Sequence, residues 1–214
     1  MANAFYNVPQ IINEPILNYA PGSKEKAEVK LALKTLRGVE IDAPMFIGGK
    51  EVRTGELVRM SPPHDHKHTL GHFHRGNETH VKLAIDAALA AKEKWANTSW
   101  EHRASIFLKA ADLLAGPYRA KMNAATMLAQ SKNVFQAEID AVCEYADFLR
   151  FNVEFMTDIY KQQPPYSPAP TWNRVEHRPL EGFVFALTPF NFTSIAGNLP
   201  GAPALMGNTV VWKP

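Results

Sequence analysis

One cysteine, Cys143, is the whole thiol inventory of the 214-residue sequence. That excludes an intramolecular disulfide framework and any multi-cysteine zinc or iron–sulfur site, and it suits a reducing compartment. Apolar runs are short, and none approaches the roughly 18 residues a membrane span requires. Neither sign of charge dominates, because 23 Lys and Arg nearly balance 21 Asp and Glu for a net +2. The electrostatic footprint of a nucleic-acid partner or an anionic membrane is therefore missing. Met1 to Ala20 has no Lys or Arg and carries Glu14. Secretory leaders need positive charge and transit peptides are Arg-rich, so the expected compartment is the cytoplasm, or the mitochondrial matrix for a eukaryotic form with its presequence removed. No repeat of 20–50 residues recurs, and the glycine fingerprint G-x-G-x-x-G is nowhere in the chain. What is there is apolar content of 46%, enough for a buried core in one large or two small domains.

Helical periodicity is expected over Ser23 to Leu36, where Val29, Ala32, Leu33 and Leu36 share a face and Gly38 ends the run. Met45-Phe46-Ile47, Gly48-Gly49 and Lys50-Glu51-Val52 predict a short hairpin turned by its glycines. Asn77 is a candidate N-cap for a helix striped by Val81, Ala84, Ile85, Ala88 and Trp95. Ser99 can cap another, lined by Ile106, Phe107, Ala110, Leu113 and Leu114 and stopped by Gly116-Pro117. A long helix is predicted from Asn133 to Tyr160, with Phe135, Ile139, Val142, Ala146, Leu149, Val153 and Met156 near one side. Pro164, Pro165, Pro168 and Pro170 then impose an extended connector. Thr171 to Arg178 has β character. Phe183 to Leu187 reads as a strand covered on both faces, and Thr209 to Trp212 as a second. The small-residue crossover between them, broken by Pro200 and Pro203, implies a right-handed βαβ unit. The fold class is α/β: a helical layer followed by the opening of a parallel sheet. A domain seldom ends in mid-strand, so the chain is expected to be the first portion of a longer fold.

Six of eight histidines fall between His64 and His80. His64-x-His66-x-His68 at strand spacing would place three imidazoles on one face, yet no carboxylate or cysteine set completes a metal site, so a solvated polar strand face is expected and no metal. Cys143 reads as a small core residue, with Asp140 and Glu144 disfavouring a thiolate. Glu138 and Asp140 sit in the first turns of the long helix. A solvated acidic face at the positive end of the helix dipole is the reading their positions favour, and a carboxylate facing a pocket is the other.

Thr188-Pro189-Phe190-Asn191-Phe192-Thr193 lies just past the carboxyl end of a buried strand, the edge where open α/β sheets bind ligands, and the helix that follows should offer free N–H groups. Asn191 there is either an amide donor suited to an oxyanion or a turn former. Lys213, at the end of the next strand, would flank the same crevice.

Thr188 to Phe192 and the run Gly201-Ala202-Pro203-Ala204-Leu205-Met206-Gly207-Asn208-Thr209-Val210-Val211-Trp212-Lys213-Pro214 resemble the oxyanion and cofactor-ribose segments of the aldehyde dehydrogenase superfamily. Ile106 to Leu114, Gln136 to Ala141 and Phe190 to Thr193 narrow the likeness to members that oxidise L-glutamate γ-semialdehyde to L-glutamate in proline catabolism. The likeness runs from about Glu14 to the last residue. It implies a helical layer plus the start of a Rossmann-like NAD-binding sheet and part of a β-flap. The parts would be an N-terminal arm and helix (1–38), the helical part of the cofactor domain (39–163), a connector with the oligomerisation flap (164–182) and a first βαβ unit (183–214). The resemblance implies that Asn191 donates to the substrate oxyanion, Phe192 packs on the aliphatic substrate and Glu138 lines the aldehyde pocket. Lys213 would bond the adenosine ribose of NAD, with Thr188, Pro189 and Phe190 contacting the cofactor mainly through backbone. The loosely held pyrophosphate of that superfamily explains the missing glycine fingerprint. Its partners would be a small-molecule aldehyde and further copies of itself in a homo-oligomer. Its nucleophilic cysteine would lie beyond Lys213, because Cys143 does not match it, so this chain alone is expected to be inactive. A non-catalytic module of the same fold, or a relative for another aldehyde, are the alternatives.

Overall fold

The computed structural model describes residues 6–214. Local signals place the first elements. Ser23 accepts from the Lys26 N–H to open helix α1 (Lys24–Arg37), and the Gly38 N–H closes it on Thr35 and Leu36 carbonyls. Five short strands follow: β1 (Ile41–Ala43), β2 (Met45–Ile47), β3 (Lys50–Val52), β4 (Leu57–Met60) and β5 (Gly71–His74). Strands β2 and β3 form the expected hairpin, with Gly48 and Gly49 at φ +59° and +76° as a two-residue turn of matching twist demands. Strands β1, β5 and β4 make a separate sheet, parallel between β1 and β5 and antiparallel between β4 and β5. The 39–163 region is thus not purely helical. His64, His66 and His68 lie in a turn rather than a strand, so the shared imidazole face does not form there.

Asn77 caps α2 (Glu78–Ala96) reciprocally with His80, and Ser99 caps α3 (Trp100–Ala115). Their buried stripes are narrower than the periodicity predicts. Of the α2 stripe only Ala88 is fully buried and Val81 is exposed, while on α3 Ile106 and Leu113 face outward and Ala104, Ala111 and Leu114 face the core. Helix α4 (Arg119–Gln130) is absent from the sequence reading. It has no side-chain cap, and the residues it buries include Asn123 and Thr126, so its apolar period is weak.

The predicted long helix is α5 (Val134–Ala137), a π-helical turn (Glu138–Glu144) and α6 (Tyr145–Lys161) in succession. A π-turn adds a residue to the local repeat and rotates what precedes it. Phe135 and Ile139 therefore leave the core face, whereas Val142, Ala146, Leu149, Val153 and Met156 stay on it. These pack with Ala104, Ala111 and Leu114 into two adjoining clusters. α1 lies against α4, which joins it to this layer.

Residues 162–183 form no strand. Thr171 to Arg178 finds no ladder partner among the described residues, and Trp172 is 94% exposed. Strands β6 (Val184–Leu187) and β7 (Val210–Lys213) then pair in parallel, Val184 opposite Val210 and Leu187 opposite Lys213. Helix α7 (Thr193–Leu205) crosses between them. β6 is covered on one face only: Ala186 is buried, but Phe185 and Leu187 are exposed because no element of the described chain packs over them. Pro200 and Pro203 do not break α7. Their fixed φ suits a helix, and packing against α6, β6 and β7 offsets the cost, about 3 kcal/mol each, of the clash and the lost N–H.

Gly197 sets how closely α7 approaches α6. A Cβ there would sit 2.1 Å from the Tyr145 ring. Gly197→Ala is expected to destabilise the fold by about 1–3 kcal/mol through overpacking, well beyond the ~1 kcal/mol alanine gains in helix propensity. Urea denaturation should show that cost nearly vanish in a Tyr145→Ala background; an equal cost in both backgrounds would refute the contact.

Candidate active site

At the carboxyl edge of β6 and β7 Thr188 meets Lys213, and Pro189, Phe190 and Asn191 continue into the loop beyond β6. The Thr188 N–H donates to the Lys213 carbonyl at 3.1 Å, and Trp212 Nε1 donates to the Thr188 hydroxyl, also at 3.1 Å. Thr188 is buried, while Phe190 and Asn191 stand out from the loop. The Asn191 side-chain amide makes no hydrogen bond among the described residues, so both its donors are available. Lys213 is exposed, and among the described residues its ammonium reaches only the neighbouring Pro214 carbonyl at 3.1 Å.

The loop is fastened from below. Lys132 Nζ donates to the Asn191 carbonyl and to Asp140 Oδ2, both at 2.7 Å, and lies 4.3 Å from the centre of the Phe192 ring. Asp140 in turn accepts from the Thr193 N–H at 3.1 Å and the Ser194 N–H at 3.0 Å. These are the first N–H groups of α7, which the sequence leads one to expect free. They are taken because Phe192 holds the N-cap position without any acceptor to offer, and the buried Asp140 carboxylate, far away along the chain on the π-helical turn, supplies it. The Ser194 hydroxyl, 2.8 Å from both Asp140 Oδ1 and Glu144 Oε2, can donate to either. Thr126 and Gln130 of α4 meet the Thr193 hydroxyl at 2.9 and 3.0 Å. Burial alone would raise the Asp140 carboxyl, but the Lys132 ammonium and the α7 donors outweigh it and hold it below the ordinary carboxylate range. Sequence reasoning missed Lys132, Thr126, Gln130 and Ser194. The one available signal was a helix starting on Phe, which must borrow its cap.

Glu138 is neither on a solvated face nor open to a pocket. It is fully buried and accepts from the Leu17 N–H at 2.9 Å, the Tyr19 hydroxyl at 2.6 Å, Asn123 Nδ2 at 2.7 Å and the Arg119 guanidinium. Arg119 also holds Glu14 Oε1 at 2.6 Å, and Arg150 holds Glu14 Oε2 at 2.7 Å. With its lone pairs occupied, Glu138 ties the irregular N-terminal arm to α4 and the π-turn. Desolvation pushes its pKa up, yet Arg119, Tyr19 and the Leu17 and Asn123 donors bring it below the usual value.

The model of the aldehyde dehydrogenase family matches residues 51–214. The chain belongs to the aldehyde dehydrogenase family. It is 52% identical over 212 residues to the delta-1-pyrroline-5-carboxylate dehydrogenase of Agaricus bisporus, covering 99% of this chain and 39% of that protein. It is 48% identical over 208 residues to the mitochondrial delta-1-pyrroline-5-carboxylate dehydrogenase of Dictyostelium discoideum, covering 97% of this chain and 37% of that one. The crystal structure of the Mycobacterium tuberculosis enzyme of the same name, bound with NAD, superposes with a TM-score of 0.97 at 52% identity, over all of this chain and 40% of that one. The chain therefore spans 37–39% of the length of these curated relatives.

Against this aldehyde dehydrogenase fold, Cys143 is a core residue. It is buried beside Glu138 Oε1 at 3.7 Å, and burial followed by the Glu138 charge pushes its thiol up to about 12. Asp140 and Glu144, the neighbours the sequence suggested, are not what holds it there. His64 bonds Ser131, and His74 lies between Asp42 and Thr54. Among the described residues no group of three or more His, Cys, Asp or Glu could hold a metal ion, and no helix is long and apolar enough to cross a membrane.

Glu138 and Asp140 have folded pKa values below their ordinary 4.5 and 3.8, so their contribution to stability is complete above those values and is lost as pH falls through the folded ones. The melting temperature should be flat from about pH 7 to 5 and drop steeply below about pH 4. Asp140→Asn should remove part of that slope; an unchanged acid limb would contradict the assignment.

Proposed function

We propose that this chain is the first part of an NAD-dependent dehydrogenase that oxidises L-glutamate γ-semialdehyde, the open form of 1-pyrroline-5-carboxylate, to L-glutamate in proline catabolism. The observation that carries the reading is the state of Asn191: its backbone carbonyl is held by Lys132 while its side-chain amide stands unbonded at the sheet edge. A fixed neutral amide stabilises negative charge as it develops on an aldehyde oxygen and adds no charge of its own. Half-exposed Phe192, beside it, offers an apolar surface for the substrate's methylene chain.

The donors at this edge fit NAD. The exposed Lys213 ammonium suits ribose hydroxyls, and the loop backbone from Thr188 to Phe190 starts at the same sheet edge. When bound, NAD supplies the hydride acceptor. The N-terminus of α7 is already neutralised by Asp140, so it is not where a pyrophosphate is gripped, and the chain has no glycine fingerprint to compensate. The nucleophile must come from residues other than Cys143, whose buried thiol stays protonated at neutral pH. Glu138 is spent on the arm, and its geometry gives no support to a substrate contact. The exposed 164–182 segment, with Trp172 bare, fits a surface that pairs with a second copy of the enzyme. The cytoplasm, or the mitochondrial matrix in a eukaryote, is the proposed compartment.

NADH formation from the semialdehyde by the complete protein tests this. Asn191→Ala should lower kcat by about 10²–10³-fold, as loss of one oxyanion donor does elsewhere, with NAD affinity unchanged. The 214-residue chain by itself should form no NADH. Activity from that chain, or preference of the complete protein for an unrelated aldehyde, would overturn the reading; NAD binding without oxidation of any aldehyde would favour a non-catalytic module.

A further inference from the structure

The contact between Lys132 and the Asn191 carbonyl is the one hydrogen bond Asn191 makes among the described residues. Its neighbour Phe190 projects outward, so nothing else in the described chain fixes the position of the loop at that residue. Lys132 is well placed for the task. Its side chain is mostly buried, and Ser131 before it takes a left-handed turn, φ 55°, that ends α4 and sends Lys132 toward the loop. Ser131 is itself fastened by the His64 backbone N–H at 3.1 Å and by the His64 ring.

A plain ion pair with Asp140 does not explain this arrangement. Asp140 already accepts from the Thr193 N–H, the Ser194 N–H and the Ser194 hydroxyl without Lys132. The ammonium divides itself among three targets: the Asn191 carbonyl, the Phe192 ring and the carboxylate that caps α7. Two of the three are the residues that would face the substrate.

We infer that Lys132 is the positioning residue of the oxyanion loop: it holds Asn191 by the backbone so that the side-chain amide stays free and aimed into the crevice, and it holds Phe192 by its ring. This rests on the dehydrogenase reading above. The Lys132 ammonium is spent on Asp140, the Asn191 carbonyl and the Phe192 ring, so its effect runs through Asn191. An oxyanion donor works only when held to within a fraction of an ångström, and a misplacement near 1 Å can cost about 100-fold in rate.

In the complete enzyme, Lys132→Met should lower kcat by about 100-fold and leave the KM for aldehyde and the dissociation constant for NAD within about threefold. Lys132→Arg should recover most of the loss, because a guanidinium can reach the same carbonyl and ring. In an Asn191→Ala background Lys132→Met should cost less than about threefold, since no donor remains to be aimed. Hydrogen exchange gives a readout that needs no turnover: amides of residues 192–194 should exchange at least about tenfold faster in Lys132→Met, with 184–187 unchanged. Should Lys132→Met fail to fold, Lys132→Gln carries the same expectations. Equal losses in the wild-type and Asn191→Ala backgrounds, or unchanged exchange at 192–194, would overturn the inference. A wild-type enzyme that oxidises no aldehyde would remove the proposed function, and the exchange result would still decide whether Lys132 holds the loop.

Discussion

Two carboxylates two residues apart, Glu138 and Asp140, are buried in a single π-turn and point to different parts of the chain. A buried charge is tolerated only when donors surround it. Glu138 draws in Leu17 and Tyr19 of the N-terminal arm together with Arg119 and Asn123 of α4; Asp140 draws in Lys132 and the first residues of α7. The turn therefore works as a junction. One side fixes the irregular arm to the helical layer, and the other fixes the start of the βαβ unit to it. Two residues lie about 160° apart around a helix axis, so the two carboxylates leave the turn on nearly opposite sides and each meets its own set of donors.

The loop that would do the chemistry inherits its rigidity from that junction. It carries no secondary structure between Leu187 and Thr193. Its ends are set by the β6–β7 ladder and by the borrowed cap of α7, and its middle by one ammonium group. Asn191 can then be both immobile and unbonded at its side chain. Those two requirements conflict for most exposed amides, which are held in place by the same atoms they would need to offer a ligand.

How legible this was in the sequence depended on distance along the chain. Ser23, Asn77 and Ser99 cap helices through bonds three residues away, and the Gly48-Gly49 turn is set by its own φ angles, so each could be read locally. The strand–helix–strand unit was legible from short apolar runs flanking a small-residue crossover. Helix α4 was not, because Asn123 and Thr126 are buried for the sake of Glu138 and Thr193, partners 15 and 67 residues away. The π-turn shifted the stripe predicted through Phe135 and Ile139, and nothing in a hydrophobic period announces an extra residue. Full coverage of β6 failed for the opposite reason, because it presumes neighbours that the described chain does not provide, and the β character of 171–178 likewise meets no ladder partner in the described chain. Thr188, Asn191 and Lys213 stood out as candidates because they sit at or just past strand ends. Glu138 was misplaced, since an acidic residue early in a helix ordinarily faces water.

Arg150, Glu14, Arg119 and Glu138 form an unbroken run of alternating charge from α6 through the arm into the core. Neutralising any one member leaves its neighbour charged, desolvated and unmatched, which costs more than replacing the whole run by hydrocarbon would. These positions are consequently expected to change together. A lineage that loses Glu138 has reason to lose Arg119 with it, and an arm that no longer carries Glu14 relaxes the demand for basic residues on both α4 and α6. The arm has no hydrogen-bonded regular structure of its own, yet its charged residues are held in step with three helical segments.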